Sequence, residues 1–492
     1  MNHYELRLKK NMNIIVPHHQ YFRQVLVCFL FFVGTFQIAA AQEVISIQQA
    51  IENTLNNNLQ IRQAKLTENL SDENLKQSKA ALFPTVNGNG GYNVNFGRSL
   101  DPSTQSFNSQ QFSSFNGGVS TSVDLFQGFQ KLNQIKQNKL LLSADQTYTE
   151  KVKNDLILQV ITSYMQILYN KDFLVAAKQQ LAVAQQQLKQ QQELLDVGNK
   201  TLADLAESKS LVATAELDVT TAENALTISY ITLAQLMDIP SATRYDVKPP
   251  DVSSFNGIAS VYHPEEVYGQ ALQLFPDIKL ASIRTEAARK AVDLAKGTYF
   301  PSLSLGAGFN TNYSSGRKTL LGVVPNGERE IGYTSSGERV LTAMFSELTE
   351  TYRFGDQLRD NFGQYIGISL QIPIFNGFRT RTNVRRAKIT LLQNQTEEQL
   401  AKNNLNKVIY QAVADLKAAQ STFESTSKTF AARKEAFSVI DQRYQVGLVN
   451  SLDYSTSQTN RNKAEIDMIR AKYDLLFKAK VIDYYLGKTI AF

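Results

Sequence analysis

The residues with the widest chemical reach are scarce in this chain and poorly placed for catalysis. Three of its four histidines (His3, His18, His19) and its only cysteine, Cys28, lie within the first 41 residues. If that segment is a leader, the rest of the chain keeps His263 alone and no thiol. A thiol nucleophile, a disulfide framework and a Cys/His zinc site are then excluded, and a Ser-His-Asp triad has only His263 to draw on. His263 itself precedes Pro264 and Glu265, as a residue at a helix start does. No metal spacing or phosphate loop is present, so no enzyme activity, cofactor or metal site is expected. What remains is a pair of carboxylates. Asp204 closes the segment GNKTLAD after Gly198, and Asp453 closes GLVNSLD after Gly447, 249 residues later. Thr201 to Asp204 also has the pattern of a capping box. A carboxylate there stabilises a helix N-terminus by about 0.3–1 kcal/mol.

Charge follows the same division. Arg7, Lys9, Lys10 and Arg23 against Glu5 give residues 1–41 a net +3 of the +6 on the whole chain. The remainder is near neutral for its size, with no basic stripe suited to nucleic acid. The basic segment, the apolar run Val25–Phe36 and Ala39-Ala40-Ala41 read as a secretory signal peptide over 1–41. Cys28 lies in the apolar run after Val27, so lipid attachment there is not expected.

The elements around the two aspartates repeat. VDLFQGFQ (123–130) matches IPIFNGFR (372–379) at the same offset of 249. Phe83-Pro84 matches Phe300-Pro301 at an offset of 217, so the second copy carries 32 more residues in between. Gly128, Gly377, Pro84 and Pro301 mark the junctions between strands and helices. Residues 129–197 and 378–446 contain neither Gly nor Pro and predict helices of ~100 Å. Leu174, Ala177, Leu181, Ala184, Leu188 and Leu195 form a heptad-like seam, with Gln191 interrupting. Ile409, Ala412, Leu416, Ala419, Phe423, Phe430, Phe437, Ile440 and Tyr444 do the same in the second copy. The Gln-rich stretches 185–187 and 190–192 read as a polar helix face. Gly198 and Gly447 then become hairpin turns, each folding a long helix onto a shorter successor. Helices are also expected over 46–81 and 264–296.

Four segments alternate strictly between apolar and polar residues: 86–96, 115–125, 303–313 and 366–374. Apolar positions on one face and Asn, Ser and Gly on the other describe a membrane barrel strand. Four strands cannot close a barrel, and an open edge is not tolerated in lipid. An eight-stranded dimer or a twelve-stranded trimer would close, and only the trimer leaves a useful lumen.

These features together resemble the TolC family of outer-membrane efflux proteins. The resemblance spans residues 43–490 and rests on the duplicated element order, on LFQGF (125–129) and IFNGF (374–378), and on the two Gly-x5-Asp turns. It implies an α+β membrane protein. A homotrimer would form a 12-stranded outer-membrane β-barrel, four strands per chain, continued by a long periplasmic α-helical barrel of coiled-coil hairpins. It implies a passive exit duct for tripartite efflux or type I secretion, recruited by a periplasmic adaptor and an inner-membrane pump of RND or ABC type. The expected domains are a first repeat (42–239), a linker at the tunnel's waist (240–263) and a second repeat (264–492). Residues 314–362 form an enlarged outer loop, which is hypothesised to fold over the pore mouth. At the periplasmic entrance the resemblance points to Asp204, Asp453 and Tyr444. The family often places a basic residue two positions after the second glycine; here that residue is Val449, and Lys200 holds the equivalent place in the first copy. The competing reading, a structural coiled-coil surface fibre, leaves the lipid-type strands without a purpose.

Overall fold

The computed structural model describes residues 43–488, apart from 101–104, 106, 109–110, 241–244 and 250–261. The signal peptide therefore lies outside the described residues, as does most of the linker. In chain order the main elements are β1 (Glu43–Ile45), α1 (Ile47–Asn57), α2 (Leu59–Ala80), β2 (Thr85–Asn95), the short β3 (Ser99–Leu100) and β4 (Phe107–Asn108), and β5 (Phe112–Gln127). The long α3 (Gln130–Asp196), α4 (Leu202–Met237) and β6 (Tyr245–Val247) complete the first half. The second half runs α5 (Pro264–Leu274), α6 (Pro276–Gly297), β7 (Ser302–Ser314), β8 (Lys318–Tyr333), β9 (Arg339–Thr351), α7 (Phe354–Asp360), β10 (Gly363–Gln371), α8 (Arg379–Gln445) and α9 (Ser451–Tyr485).

The two long helices are equal at 67 residues each. Val160, Ile167, Leu174, Leu181, Leu188 and Leu195 recur every seven residues in α3, and Ile409, Leu416, Phe423, Phe430, Phe437 and Tyr444 do so in α8. A strict seven-residue repeat imposes a left-handed supercoil on each antiparallel hairpin, α3 with α4 and α8 with α9. Midway along, β1 pairs in parallel with β6. Their apolar residues join Val160, Ile161, Met165, Leu233 and Leu476 in one core. Polar ties fix this waist. Asp246 accepts from Lys171 Nζ and from the Tyr230 hydroxyl, both at 2.7 Å.

Two expected helices are broken. The segment 46–81 divides at Asn58, whose carboxamide accepts from Gln60 N and donates to Leu236 O. The segment 264–296 divides at Phe275, which is extended because a following proline disfavours α geometry. Pro84 and Pro301 need a correction as well. They lie where helix passes into strand, just before β2 and β7, whereas Gly128 and Gly377 lie where strand passes into helix.

The four long strands form one antiparallel sheet in the order β10-β7-β5-β2. Its register sorts the two faces. Val86, Thr121, Ala307 and Ile366 lie in one row across it, and Val123, Leu305 and Ile368 in another. Ser122, Gly306 and Gly367 form the row between them, and Asn87, Ser120, Gly308 and Tyr365 the row beyond the first. A one-residue slip would exchange the faces, so the pattern fixes the pairing. Among the described residues, the outer edges of β2 and β10 have no partner.

Each passage from strand to long helix uses two consecutive left-handed residues, Gly128-Phe129 and Gly377-Phe378, with φ between 58° and 62°. A Cβ on Gly128 would lie 2.1 Å from Gly297 O and 2.9 Å from Phe300 Cβ, so α6 packs directly on this turn. Gly128→Ala is therefore expected to destabilise the fold by at least ~2 kcal/mol. Gly88→Ala, which meets open space, should have little effect. Denaturant midpoints in detergent compare the two.

Candidate functional site at the hairpin turns

Both hairpin turns are built on one plan. After α3, Gly198 N donates to Leu195 O and Asn199 N to Leu194 O. After α8, Gly447 N donates to Tyr444 O and Leu448 N to Arg443 O. Each is a Schellman motif, and the glycine takes the left-handed position at φ 77°. Three residues beyond each glycine stands the cap of the return helix, Thr201 or Asn450.

The caps differ, and that difference creates the site. In the first turn Thr201 and Asp204 form a reciprocal capping box. Thr201 Oγ1 accepts from Asp204 N at 3.2 Å, and Asp204 Oδ2 accepts from Thr201 N at 3.1 Å and from Thr201 Oγ1 at 2.8 Å. The other carboxylate oxygen crosses to the second hairpin, where Ser451 Oγ donates to Asp204 Oδ1 at 2.5 Å. One aspartate thus caps its own helix and ties the two turns together. In the second turn Asn450 accepts from Asp453 N at 2.7 Å. The Asp453 side chain stays exposed beside the cap.

A second tie runs the opposite way. The Lys200 ammonium lies 4.8 Å from the centre of the Tyr444 ring, a cation–π contact. Tyr444 packs 4.4 Å from Tyr454, which meets Phe437 at 5.3 Å. The structure therefore brings Lys200, Asp204 and Tyr444 together and leaves Asp453 apart. Ser451 is the partner that sequence reasoning missed. Its only signal is that it stands where the first copy has Leu202.

Above the turns the hairpins meet through a polar seam. Gln180, Gln187 and Gln191 of α3 are buried. Of the glutamine stretches read as a polar helix face, Gln185, Gln186, Gln190 and Gln192 are exposed, whereas Gln187 and Gln191, the latter the interruption of the heptad seam, are buried. Gln180 Nε2, Gln187 Oε1 and both polar atoms of Gln191 lack hydrogen-bond partners. Gln180 borders a cavity of about 250 Å³ between the first hairpin and α9, lined also by Asp218, Gln458, Asn462 and Lys463. Burial pushes the Asp218 carboxyl up. Such a seam holds less strongly than the apolar heptads inside each hairpin, because buried amides without partners cost free energy.

Among the described residues no helix is long and apolar enough to cross a membrane, and no cluster suits a metal ion. The sheet and the paired hairpins have counterparts among known proteins. A family profile described as "Outer membrane efflux protein" matches residues 36–238 and 267–488. The chain belongs to this family. Outer membrane efflux protein BepC of Brucella suis biovar 1 (strain 1330) is 21% identical over 465 residues, covering 93% of this chain and 89% of BepC. Outer membrane protein TolC of Vibrio cholerae serotype O1 is 21% identical over 415 residues, 84% of each chain. The fold of the outer-membrane channel OprN superposes with a TM-score of 0.72 at 18% identity over 90% of both chains. The open state of the MtrE channel of Neisseria gonorrhoeae gives 0.66 at 17% identity, over 90% of this chain and 89% of that one. This is a family of passive outer-membrane channels. The chain is an efflux duct that extends into the periplasm, not an enzyme and not a surface fibre. Efflux channels of this kind work with adaptor and pump proteins.

The hydrogen bonds from Ser451 and Thr201 hold the Asp204 carboxyl below its ordinary value. A depressed carboxyl pKa gives stability that is present above the unfolded value of about 4 and lost as pH falls through the folded one. Amide protection factors at residues 202–206, with intrinsic exchange divided out, should therefore be steady from pH 7 to 5 and fall only below about pH 4. Thr201→Ala should lower these protection factors at neutral pH by removing a cap worth ~1 kcal/mol.

Proposed function

We propose that three copies of this chain close into a ring, whose sheets form a twelve-stranded barrel in outer-membrane lipid and whose hairpins form the periplasmic tunnel. The single observation that carries this reading is the unequal environment of the two repeats. In the first, Gly128 is packed against Gly297 O and Phe300; in the second, Gly377 meets nothing within 4 Å. By the internal repeat, the missing partners of Gly377 are Ala80 and Phe83 of another copy. Those residues are open: Phe83 is 71% exposed against 52% for Phe300, and Leu70 is 63% exposed against 2% for its counterpart Ala287. The open side of the second repeat thus matches the open side of the first, a head-to-tail contact that generates a ring. Four strands per copy also let β10 of one copy meet β2 of the next antiparallel, which leaves no edge in lipid.

In this reading the two crossed ties hold the entrance shut. Lys200–Tyr444 and Asp204–Ser451 link the hairpins at the tip, where the seam above them is polar and gives way easily. Lys200 takes the part that a basic residue near Val449 has in the family pattern. Asp453, exposed on each copy, contributes a ring of three carboxylates facing cations at the mouth. An adaptor and an inner-membrane pump of RND or ABC type recruit the duct and open it. The relatives' names speak of pyoverdine export (OpmQ), of antibiotic efflux (ArpC) and of toluene efflux (TtgC), each in Pseudomonas putida. Cargo this varied suits a duct whose selectivity resides in its pump.

Two experiments test this. The double variant A80C/R379C should give covalent trimers on non-reducing gels, and neither single variant should; monomers alone would overturn the ring. In planar bilayers, S451A combined with K200A should raise single-channel conductance severalfold. D453N should weaken block by divalent cations while leaving the closed conductance unchanged. Wild-type conductance in the double variant would reject the ties as the lock, and undiminished cation block in D453N would reject the ring of aspartates.

A further inference from the structure

Positive charge gathers where the strands pass into the long helices. Residues Asn361 to Thr396 include no acid, and the first ten positions of α8 hold Arg379, Arg381, Arg385, Arg386 and Lys388. The first ten of α3 hold Lys131, Lys136 and Lys139, again with no acid. Lys131 is paired with Asp124 at 2.9 Å. The five cations of α8 are all exposed. Among the described residues, the first ion pair along α8 is Lys402 with Glu398, more than two turns beyond Lys388. Cations in the first turn of a helix oppose its dipole, so they do not serve the stability of α8.

Their surroundings are apolar. Ile366, Ile368 and Leu370 belong to the apolar face of β10, and Ile374 continues the alternation. Ile374, Phe375, Phe378 and Arg381 line one cleft of about 220 Å³ with Tyr299. The Arg381 guanidinium lies 5.9 Å from the centre of the Phe378 ring. Arg385 and Lys388 follow on the same helix face, four and seven residues on. An apolar row of the sheet thus passes directly into a basic row.

The first repeat shows that this face stays open beside neighbours. Both α2 and α6 pack on α3. Leu125, Phe129, Leu132, Lys136 and Lys139 remain exposed there, and they are the counterparts of Ile374, Phe378, Arg381, Arg385 and Lys388. Arg379 and Arg386 correspond to the half-buried Gln130 and Gln137, so they belong to the contact between copies.

We propose that Arg381, Arg385 and Lys388 bind the phosphates of anionic phospholipid in the leaflet that faces the periplasm. This rests on the membrane reading above. Aromatic girdles mark the headgroup level of a membrane barrel, and Phe83, Phe129, Phe300 and Phe378 all lie exposed at this junction. At ~1.5 Å per residue, Arg381 stands about 5 Å beyond Phe378 along the helix, and Lys388 about 15 Å. The headgroup layer is ~5–8 Å deep, and long basic side chains snorkel back toward it. Arg381 and Arg385 therefore reach phosphates directly, and Lys388 adds attraction within a Debye length of about 8 Å. Further along α8 the charges are mixed, Glu397 and Glu398 with Lys402 and Lys407, so the pull on a polyanion deeper in the periplasm fades.

The chain has no tryptophan, so Phe378→Trp supplies a lone fluorophore. The full-length trimer is reconstituted in vesicles of equal phosphatidylglycerol and phosphatidylcholine, with one lipid or the other brominated. Brominated phosphatidylglycerol should quench more strongly, a preference of roughly fivefold in relative binding. R381Q/R385Q/K388Q should reduce that preference to none. These side chains are exposed, so the triple variant should still give covalent trimers with A80C/R379C. Equal quenching by the two lipids with all three cations present overturns the phosphate site and leaves the barrel standing. A preference that survives the triple variant assigns it to other cations and overturns it too. Retention on isolated cell-wall sacculi through these residues, without lipid preference, gives them to the wall polymer instead. No quenching by either lipid takes Phe378 out of the bilayer, and the membrane reading falls together with this inference.

Discussion

An amide or carbonyl without a partner cannot remain in hydrocarbon, and the rest of the architecture follows from that constraint. Four strands satisfy their inner neighbours and leave two edges open. In the ring proposed above, the remedy lies in copies of the same chain, and the duplication makes it geometrically simple. A contact already made once between the repeats, α6 on the turn at Gly128, can be made again between molecules. The close approach at Gly128 is thus both an internal packing detail and a template for assembly.

The helical part obeys a different balance. Within each hairpin, heptad positions bury Val160, Ile167, Ile409 and Leu416. Between hairpins, glutamines fill positions where hydrocarbon would bind more strongly. The tip then rests on a few specific contacts, one charge-assisted hydrogen bond and one cation–π pair. In the proposed reading, these contacts define the closed arrangement and are few enough for a partner protein to displace.

Much of this was legible in the sequence, and the reasons are physical. Period-two alternation in Val86–Phe96 and Leu303–Tyr313 encodes two faces, and a one-residue slip would exchange them. The glycines at 198 and 447 needed left-handed backbone, which marks turns directly. Other features were hidden because they depend on distant partners. The Asp204–Ser451 bond joins residues 247 apart, and nothing local distinguishes Ser451 from a helix-start serine. Gln187 and Gln191 look like surface residues by composition, and only the packing of the helices makes them interior. The β8–β9 pair was read as a loop because its charges and register shifts mask its alternation. The break at Asn58 depends on a bond to Leu236 across the waist.

The equal length of α3 and α8 has a consequence for inheritance. In the ring proposed above, six helical hairpins of common length would end in one plane and give an incoming partner a level rim. A single helical turn gained in only one repeat would lift half of the tips by ~5.4 Å. Seven residues, although they preserve the supercoil, would step the rim by about 10 Å. The two halves of the gene are therefore not free to drift in size. An insertion in one long helix survives only beside a matching insertion in the other, so the duplication continues to constrain the length of both copies after their side chains have diverged.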